Sequence, residues 1–451
     1  MVIAGVIVFA LIHWRTRLPQ PDVVVLVTID TLRDDHLGCY GYPRKTSPFL
    51  DRLAANGVLF LNAFSSSSHT TPAHASIFTS LHPVQHKALM NGTSLPEAVL
   101  TMAEVFNKAG YETAGFFSVN YLEDIGQGFD TFDWATNKSN YYTRTADRTV
   151  DNVIGWLHQQ KPTDRIFLWI HFFDVHAPYE PPPDLNREMV LESEEEKKEF
   201  IDYLTGTHRI PLDFYNDEES MLKTFNGYDA ELAFVDRELE RLWGVFEEKG
   251  LNNNALWIIT SDHGEGLGNH HYIEHSKKIY NEQLHVPLII CHGGGKIKPG
   301  RDDALVRHVD ILPTLTEMLG FPLKNRSKFI QGDSLVPLLK RNSSRFPARY
   351  SFSQRRPRGP RKRGWEPGKH YTLQDRNYKY IFHSEGQDEF YHLADDPFES
   401  INLVDDSSRE KERMRAALQR YYSRLLSESN FSYQTGIKPK YIKTLKSLGY
   451  L

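Results

Sequence analysis

Side chains that bind divalent metals follow three segments of this chain that are predicted to be buried strands. Each segment is rich in apolar and β-branched residues, as is typical of a strand covered on both faces. Open α/β sheets bind their ligands outside the carboxyl ends of the strands, so the three ends should meet along one edge. The segments and the residues after them are 23–27 with Asp30, 166–172 with Asp174 and His176, and 255–260 with Asp262 and His263. We predict a metal site at this edge, with its ligands among these five residues.

A fourth segment, residues 68–76, places a hydroxyl group at the expected start of a helix. Pro72 fits the first turn of a helix, where its missing N–H costs nothing. Thr70 then lies just before the helix, where free N–H groups and the helix dipole favour an anionic ester oxygen. A hydroxyl beside a metal that lowers its pKa is suited to act as a nucleophile and a metal ligand. The simpler alternative is that Thr70 or Thr71 only caps the helix.

Six short segments match the landmarks of one family, in order, and the match extends from about residue 22 to residue 451. They are 30–41, 70–74, 260–265, 280–288, 310–315 and 391–399. On these segments the chain resembles the sulfatase family of the alkaline phosphatase superfamily. The resemblance implies a metal-dependent ester hydrolase whose metal ligands come from 30–41 and 260–265, which gives Asp30, Asp262 and His263. It also implies that Thr70 stands at the nucleophile position, where the family has Cys or Ser in Cys/Ser-x-Pro-x-Arg.

The chain departs from the family pattern at residues that carry the chemistry. Family sulfatases convert the Cys or Ser to a formylglycine hydrate, and the β-methyl group of Thr70 prevents formation of the same aldehyde. Residues 117–120 replace the family's Gly-Lys-Trp-His segment, so its catalytic Lys and His are missing. His74 replaces the arginine, and His263 replaces the Asn often seen in calcium-binding members. Imidazole suits zinc or manganese better than calcium or magnesium, which prefer oxygen ligands, so zinc or manganese is favoured.

These departures make the chain similar to relatives that use a threonine nucleophile, the nucleotide pyrophosphatase/phosphodiesterases and the metal-dependent phosphotransferases. Asn91 follows Thr70 by 91 − 70 = 21 residues. That spacing is similar to the spacing of the phosphoryl-binding Asn in the phosphodiesterases, although Asn91-Gly92 is also a common turn pair. The predicted catalytic residues are Thr70, His74, Asn91, His176 and His275.

Two interpretations of His176 and His275 remain open. Together with Asp174 they offer the ligands of a second metal ion, which suits in-line displacement at phosphorus. Alternatively, they are acid–base or substrate-binding groups, as histidines at similar places in sulfatases are. His270 and His271 are expected to flank the rim of the site. The expected cofactor is therefore one or two divalent metal ions.

Three hypotheses for the function follow. A phosphoester or phosphodiester hydrolase with a threonine nucleophile is favoured. A sulfuric ester hydrolase that uses an unconverted threonine is the first alternative, and a membrane-anchored phosphotransferase or a binding-only relative is the second. Each would bind an anionic ester. The formal net charge of −5 gives no polyanion-binding signature, so no nucleic acid partner is expected.

The chain has 451 residues, enough for one large core and a smaller appended unit. Strands alternate with helices up to about residue 345, which predicts a doubly wound, mostly parallel α/β sheet with helices on both faces. Short strands and a charged helix follow and predict a small α+β subdomain. The predicted units are an N-terminal anchor and linker at 1–21, a catalytic domain at 22–345 and a C-terminal subdomain at 346–451. Two cysteines offer no disulfide framework.

The apolar run at residues 2–14 predicts a membrane anchor, although its length falls below the roughly 17–25 residues that span a bilayer. The family resemblance implies an extracytoplasmic location. Arg15 and Arg17, on the C-terminal side of the run, argue against export of the body under the positive-inside rule.

Two charged segments lie outside the proposed chemistry. Residues 193–199 form a charge run within an irregular stretch at 181–219, which predicts a solvated helix on an insertion or, less simply, a lid. Residues 355–363 hold six basic residues and two prolines. They predict a flexible solvated loop, or else a contact for an anionic polymer or lipid headgroup.

Overall fold

A mixed eight-stranded sheet forms the centre of the molecule. The computed structural model describes residue 18 and residues 20–135, 143–207, 209–321, 330–355 and 365–429. The strands of this part of the chain up to residue 307 are β1 (Val23–Ile29), β2 (Val58–Phe64), β3 (Glu112–Phe117), β4 (Thr131–Trp134), β5 (Ile166–Phe172), β6 (Ala255–Ser261), β7 (Gly266–Leu267), β8 (Ile273–Glu274), β9 (His285–His292) and β10 (Gly300–Arg307). Among the described residues the sheet order is β10-β2-β9-β6-β1-β5-β3-β4, with β7 and β8 forming a separate pair. Strand β9 runs antiparallel to β2 and β6, and the other neighbours are parallel.

Helices cover both faces of this sheet. The α-helices of the described ranges are α1 (Pro48–Asn56), α2 (Thr70–Thr79), α3 (Pro83–His86), α4 (Met102–Lys108), α5 (Ala146–Leu157), α6 (Pro183–Glu188), α7 (Glu194–Gly206), α8 (Glu218–Glu248), α9 (Asn281–Leu284), α10 (Ile311–Met318), α11 (Val336–Leu339) and α12 (Arg409–Ser427). Side chains alternate along each strand, so one face of β1 and β5 packs against α1, α5 and α8. The opposite face packs against α2, α4 and α10. The prediction of a doubly wound, mostly parallel sheet is confirmed.

A smaller antiparallel sheet follows the central one. Its strands are β11 (Ser351–Gln354), β12 (His370–Gln374), β13 (Tyr378–His383) and β14 (Glu389–His392), paired in chain order. Helix α12 packs Met414, Leu418 and Leu425 against this sheet in one hydrophobic cluster. The predicted α+β subdomain is therefore confirmed, whereas the boundary between residues 345 and 346 stays a prediction.

Capping side chains set the starts of two helices. Helix α8 begins at Glu218, because the Asp217 side chain accepts a hydrogen bond from Ser220 N at 2.6 Å. Helix α4 begins at Met102, after a capping box between Thr101 and Glu104. The irregular stretch at 181–219 contains α6 and α7, so the charge run does lie on a helix.

The predicted membrane anchoring is contradicted. Within the described ranges, no helix combines the length and the apolar character needed to cross a bilayer. Residues 1–17 and 19, on which most of the predicted anchor falls, are outside those ranges, as are residues 356–363 of the basic segment. Arg355, the first residue of that segment, is buried rather than solvated and donates to the carbonyl oxygens of Glu366 and Gly368 at 2.8 Å.

A buried ion pair joins the small sheet to the segment between β8 and β9. Lys379 Nζ lies 2.7 Å from Glu399 Oε1, and both side chains are fully buried. Asn281 bridges the pair, since its side chain accepts from Lys379 Nζ at 2.9 Å and its N–H donates to Glu399 Oε2 at 2.5 Å. Two buried charges are stable only when each keeps its partner. The pair therefore fixes the small sheet against the segment between β8 and β9.

Replacing one member of this pair should lower the free energy of unfolding more than replacing both members does. We expect Lys379→Met to lower the free energy of unfolding by about 3–5 kcal/mol, because it leaves the Glu399 carboxylate buried and unpaired. The double variant Lys379→Met, Glu399→Gln should recover part of that loss. Urea unfolding followed by tryptophan fluorescence measures both values. The exposed Lys369→Met is the control and should have little effect, and an equally small effect of Lys379→Met would contradict the prediction.

Candidate active site

Asp30 is the first polar residue after β1, and the turn that follows it is strained. Its backbone N–H donates to Phe172 O at 2.9 Å, which continues the sheet. Thr31 then adopts φ +57°, an unusual conformation for a β-branched residue. The Thr31 N–H lies 3.3 Å from Asp262 Oδ1, and its hydroxyl lies 2.9 Å from Val175 O. The turn thus joins the ends of β1, β5 and β6 at one edge of the sheet.

Arg33 links the two segments that carry the predicted metal ligands. Its guanidinium is buried and pairs with Asp35 through two hydrogen bonds of 2.8 and 2.7 Å. The remaining terminal nitrogen donates to Glu265 O at 3.1 Å and to Asn269 Oδ1 at 2.8 Å. Because a guanidinium presents its donors in a fixed plane, one side chain holds both segments in a defined relation.

The structure brings together Asp30, Asp262 and His263. Their ligand atoms all lie within 4.8 Å of one another, and all three residues are buried. His263 Nε2 lies 3.3 Å from Asp262 Oδ2 and 3.8 Å from Asp30 Oδ1. His263 Nδ1 lies 3.0 Å from Gly264 O, and a carbonyl oxygen can only accept, so Nδ1 carries the proton. The lone pair of Nε2 is therefore available at the two carboxylates.

A divalent cation fits this group of side chains. Both carboxylate oxygens of Asp30, and Asp262 Oδ2, are buried without a hydrogen-bond partner among the described residues. Burial raises the pKa of Asp30 and of Asp262, and the neighbouring Asp30 charge raises the pKa of Asp262 further. Burial alone would lower the pKa of His263, but the two carboxylates raise it. Unpaired buried carboxylates are costly, and a bound cation removes that cost. Two oxygens and one imidazole nitrogen are ligands that zinc and manganese accept.

Thr70 is the first residue of α2, one position later than predicted, because His69 occupies the N-cap position. Its hydroxyl oxygen lies 3.4 Å from His263 Nε2 and is fully buried. The N–H groups of Thr71 and Ala73 already donate within the protein, to Asn91 Oδ1 at 2.9 Å and to His69 O at 3.0 Å, so the helix start offers its dipole beside the metal-binding group rather than a set of free N–H groups.

His74 has both of its ring nitrogens occupied within the protein. Nδ1 lies 2.9 Å from Thr70 O, so it carries a proton and donates to that carbonyl. Nε2 accepts from the Thr28 hydroxyl at 2.9 Å, and that hydroxyl accepts from Trp169 Nε1 at 3.0 Å. Burial lowers the pKa of His74 to about 3, which keeps the ring neutral. These contacts hold the His74 ring against the start of α2, and its catalytic role stays a prediction.

Asn91 lies against the start of α2, and the amide nitrogen of its side chain makes no hydrogen bond among the described residues. Its Oδ1 accepts from Thr71 N at 2.9 Å, which assigns Nδ2 to the other branch of the amide. Nδ2 is buried and has no hydrogen-bond partner among the described residues. The Asn91 backbone N–H donates to His69 Nε2 at 3.3 Å. The side chain is therefore anchored by one atom and offers two N–H donors beside Thr70.

The three residues proposed for a second metal are not gathered into one group. Asp174 Oδ1 instead accepts from Ala146 N at 2.8 Å, at the start of α5, and burial raises its pKa to about 7. The His275 ring stacks on His263 with the centroids 4.5 Å apart, and the His176 ring meets His275 edge-on at 4.8 Å. His176 and His275 thus border the metal-binding group, and Asp174 turns away from them. His270 lies apart, hydrogen-bonded to Glu282 at 2.9 Å.

Three further buried residues border the group but were not predicted. His171, inside β5, has Nε2 3.4 Å from Asp30 Oδ2. His308 follows β10, and burial lowers its pKa to about 3. Glu265 lies 3.3 Å from His275 Nδ1 through Oε1, and burial raises its pKa to about 8. The usable signal for His171 was a histidine within an otherwise apolar strand.

The doubly wound α/β fold thus carries a candidate site for a divalent metal, formed by Asp30, Asp262 and His263, at one edge of its sheet. Residues 22–321 match the family model described as Sulfatase, and residues 268–425 match the model described as N-sulphoglucosamine sulphohydrolase, C-terminal. The chain belongs to the sulfatase family of the alkaline phosphatase superfamily.

Relatives in this family act on more than one kind of ester. The ulvan-active sulfatase of Formosa agariphila is 26% identical over 417 residues, which cover 85% of this chain and 77% of that protein. The phosphonate monoester hydrolase of Agrobacterium radiobacter has a TM-score of 0.71 at 22% identity, over 90% of this chain and 95% of that one. A protein solved with its substrate D-glucosamine-2-N,6-O-disulfate has a TM-score of 0.73 at 18% identity, over 91% and 99% of the two chains.

The substitution Asp30→Asn should affect thermal stability differently in the absence and in the presence of bound metal. In metal-free protein, Asp30→Asn should not lower the thermal midpoint, because it removes one of two adjacent buried charges. Zinc or manganese at about 100 times the dissociation constant should stabilise the native protein by about 2.7 kcal/mol. The same addition should stabilise Asp30→Asn far less. Thermal unfolding of the native protein and of Asp30→Asn, each in chelator and in metal, gives the four midpoints to be compared.

Asp236→Asn is the matched control for this experiment. Asp236 is buried on α8 and accepts from Phe49 N at 2.9 Å and from Leu50 N at 2.8 Å. Its replacement should leave the whole metal-dependent increase in place. An equal increase in Asp30→Asn and in the native protein would show that the metal binds elsewhere.

Proposed function

We propose that this protein hydrolyses anionic esters with Thr70 as the nucleophile, and that phosphoesters and phosphodiesters are its favoured substrates. The observation that carries the proposal is the position of the Thr70 hydroxyl. It lies at the start of α2, 3.4 Å from His263 Nε2, beside three carboxylate oxygens of Asp30 and Asp262 that have no hydrogen-bond partner among the described residues. A candidate nucleophile, a candidate metal-binding group and a helix N-terminus are thus close together.

The protein's own side chains account for binding and positioning of the ester. A divalent cation held by Asp30, Asp262 and His263 would supply positive charge for the Thr70 oxygen and the ester oxygens. The positive end of the α2 dipole and the Nδ2 donors of Asn91 stabilise charge that develops on the ester during attack. His74 holds the Thr70 carbonyl and so fixes the orientation of that turn. Attack joins Thr70 Oγ1 to the central atom and releases the alcohol.

His176 and His275 are suited to move protons in this reaction. Burial lowers the pKa of His176 to about 3 and the pKa of His275 well below its ordinary value, so both rings are neutral near pH 7. An imidazole with so low a pKa is a weak base, so it takes a proton from Thr70 or from water only when the negative charge of a bound ester raises that pKa, and it then returns the proton to the leaving alcohol. His176 Nδ1 donates to Ala177 O at 2.6 Å, which leaves Nε2 as the atom able to accept that proton.

The chemistry of threonine favours phosphorus over sulfur. Thr70 carries one hydroxyl on Cβ, so water must attack the central atom to release its covalent ester. A formylglycine hydrate has a second hydroxyl, so its covalent ester can be released without attack by water on the central atom. In-line attack by water at a metal-supported phosphoryl centre is a general route for such release.

A sulfuric ester is the second candidate substrate. It is favoured by the ulvan-active sulfatase and by the relative whose structure holds a disulfated glucosamine. The match of residues 268–425 to a sulphohydrolase C-terminal model points in the same direction. Since phosphonate monoester hydrolase also shares the fold, the fold itself does not select between the two esters.

Removing the Thr70 hydroxyl should abolish turnover without removing the metal site. We expect Thr70→Val to lower kcat by at least about 10³-fold, and Thr70→Ser to retain it within about tenfold, since only the first loses the nucleophile. Turnover is measured on p-nitrophenyl phosphate, its diester and p-nitrophenyl sulfate, each with zinc, manganese or calcium. Mass spectrometry of the trapped enzyme should find the adduct on Thr70.

Thr79→Val is the matched control, since Thr79 is buried at the opposite end of α2. It should keep native kcat. Native turnover by Thr70→Val on every ester would contradict the assignment of Thr70 as the nucleophile. A higher kcat/KM for the sulfate than for both phosphates would replace the favoured substrate by the second candidate.

Asn91→Asp separates the anchoring atom from the donor atom of this side chain. Aspartate keeps an oxygen for Thr71 N but replaces the N–H donors by a negative charge that repels the ester. We expect kcat/KM to fall by about 10²–10³-fold, while metal-dependent stabilisation stays native. Steady-state kinetics and thermal unfolding with metal measure the two effects.

Asn62→Asp controls for the added charge. Asn62 is on β2, where its amide donates to Asp303 O on the exposed side of the sheet. This variant should have native kinetics. An unchanged kcat/KM in Asn91→Asp would contradict the assigned contact with the ester.

A further inference from the structure

A second cluster of metal-binding side chains lies in the small sheet, away from the candidate active site. The ligand atoms of Glu366, His370 and His383 all lie within 4.8 Å of one another. His370 on β12 and His383 on β13 are directly paired across the two strands, and their ring centroids are 3.9 Å apart. Such a pair places both side chains on one face of the sheet.

The hydrogen bonds of the two histidines fix which nitrogen is available. His370 Nε2 lies 3.1 Å from Pro367 O, and His383 Nε2 lies 2.8 Å from Glu389 Oε1. A carbonyl or carboxylate oxygen can only accept, so both Nε2 atoms carry protons. A neutral ring then has its lone pair on Nδ1. The two Nδ1 atoms lie 3.6 and 3.7 Å from the same oxygen, Glu366 Oε2.

Glu366 Oε2 is itself unpaired. It is buried without a hydrogen-bond partner among the described residues, whereas the other oxygen of this carboxylate pairs with Lys278. Two imidazole lone pairs and one unpaired carboxylate oxygen therefore converge. Each distance to Oε2 exceeds hydrogen-bond length, and each is close to the separation between neighbouring ligands of a tetrahedral ion with bonds of about 2.0–2.2 Å.

We propose that Glu366, His370 and His383 form a second metal site, distinct from the candidate active site, and that zinc is the ion it fits best. Two nitrogens and one oxygen match the ligand preference of zinc, and three protein ligands leave a position for water. The hydrogen bonds of Nε2 to Pro367 O and to the Glu389 carboxylate are outer contacts that orient metal-binding histidines.

The position of this site gives it a structural role. Lys278, which pairs with Glu366, is three residues after His275, at the border of the active site. Arg355 also joins the two regions, since it donates to Glu366 O at 2.8 Å and to Lys277 O at 3.2 Å. A metal that holds Glu366 would therefore fix the small sheet against the segment that carries His275. This inference does not depend on the proposed function.

Cobalt(II) binding to the full chain tests the proposal, with Asp262→Asn used to silence the first site. Cobalt in a site with few ligands absorbs visible light, so binding is observed directly and without turnover. We expect Asp262→Asn to bind one cobalt ion and to show this absorption, and zinc to displace it. Adding His370→Gln or His383→Gln should abolish the signal. Adding Glu389→Leu should weaken binding by about 10–100-fold, because it removes the outer hydrogen bond that orients His383.

His392→Gln is the matched control, since His392 is on β14 of the same sheet and pairs with Asp395. It should leave cobalt binding unchanged. A folded Asp262→Asn protein that binds no cobalt would overturn the proposal, as would binding that survives His370→Gln and His383→Gln. Elemental analysis of zinc-saturated native protein is the second measurement, and one zinc ion per chain instead of two would also overturn it.

Discussion

The close approach of Asp30 and Asp262 is the constraint on which the active-site edge depends. Two buried carboxylates with three oxygens that lack partners among the described residues oppose folding unless positive charge offsets them. The surrounding structure holds them in place from several directions. The parallel register aligns Ile29 with Ser261 and with Phe172, so the strand ends coincide. The strained Thr31 turn and the Arg33 guanidinium then close the edge.

The same constraint explains why much of this site could be predicted from the sequence. Residues that directly follow buried parallel strands must share an edge, whatever the loops between them do. That argument placed Asp30, Asp262 and His263 at one edge together with Asp174 and His176, and the family resemblance selected the first three as ligands. The position of Thr70 was predicted to within one residue, because Pro72 marks the first turn of a helix. The fold class followed from the alternation of strand and helix patterns.

The remaining contacts depend on side-chain direction and on register, which local patterns do not encode. Asp174 follows β5 as Asp30 follows β1, yet it turns to the backbone of α5 because a helix start lies there. His171 borders Asp30 because it is on the face of β5 that α2 covers. His370 and His383 meet only through the pairing of β12 with β13. Charged segments did not predict side-chain positions in this way. Arg355, for example, is buried although its basic segment was expected to be a solvated loop.

The substitution of His74 for the family arginine changes how the site can neutralise an anionic ester. His74 is neutral, buried and committed to Thr70 O and Thr28 Oγ1, so it brings no charge to the ester. The family's Lys and His are absent from 117–120 as well. The charge of a bound ester must then be offset by the cation at Asp30, Asp262 and His263, by the start of α2 and by Asn91. A site arranged in this way depends more on its metal than one that keeps a fixed cationic side chain, because the helix N-terminus supplies only about half a unit charge.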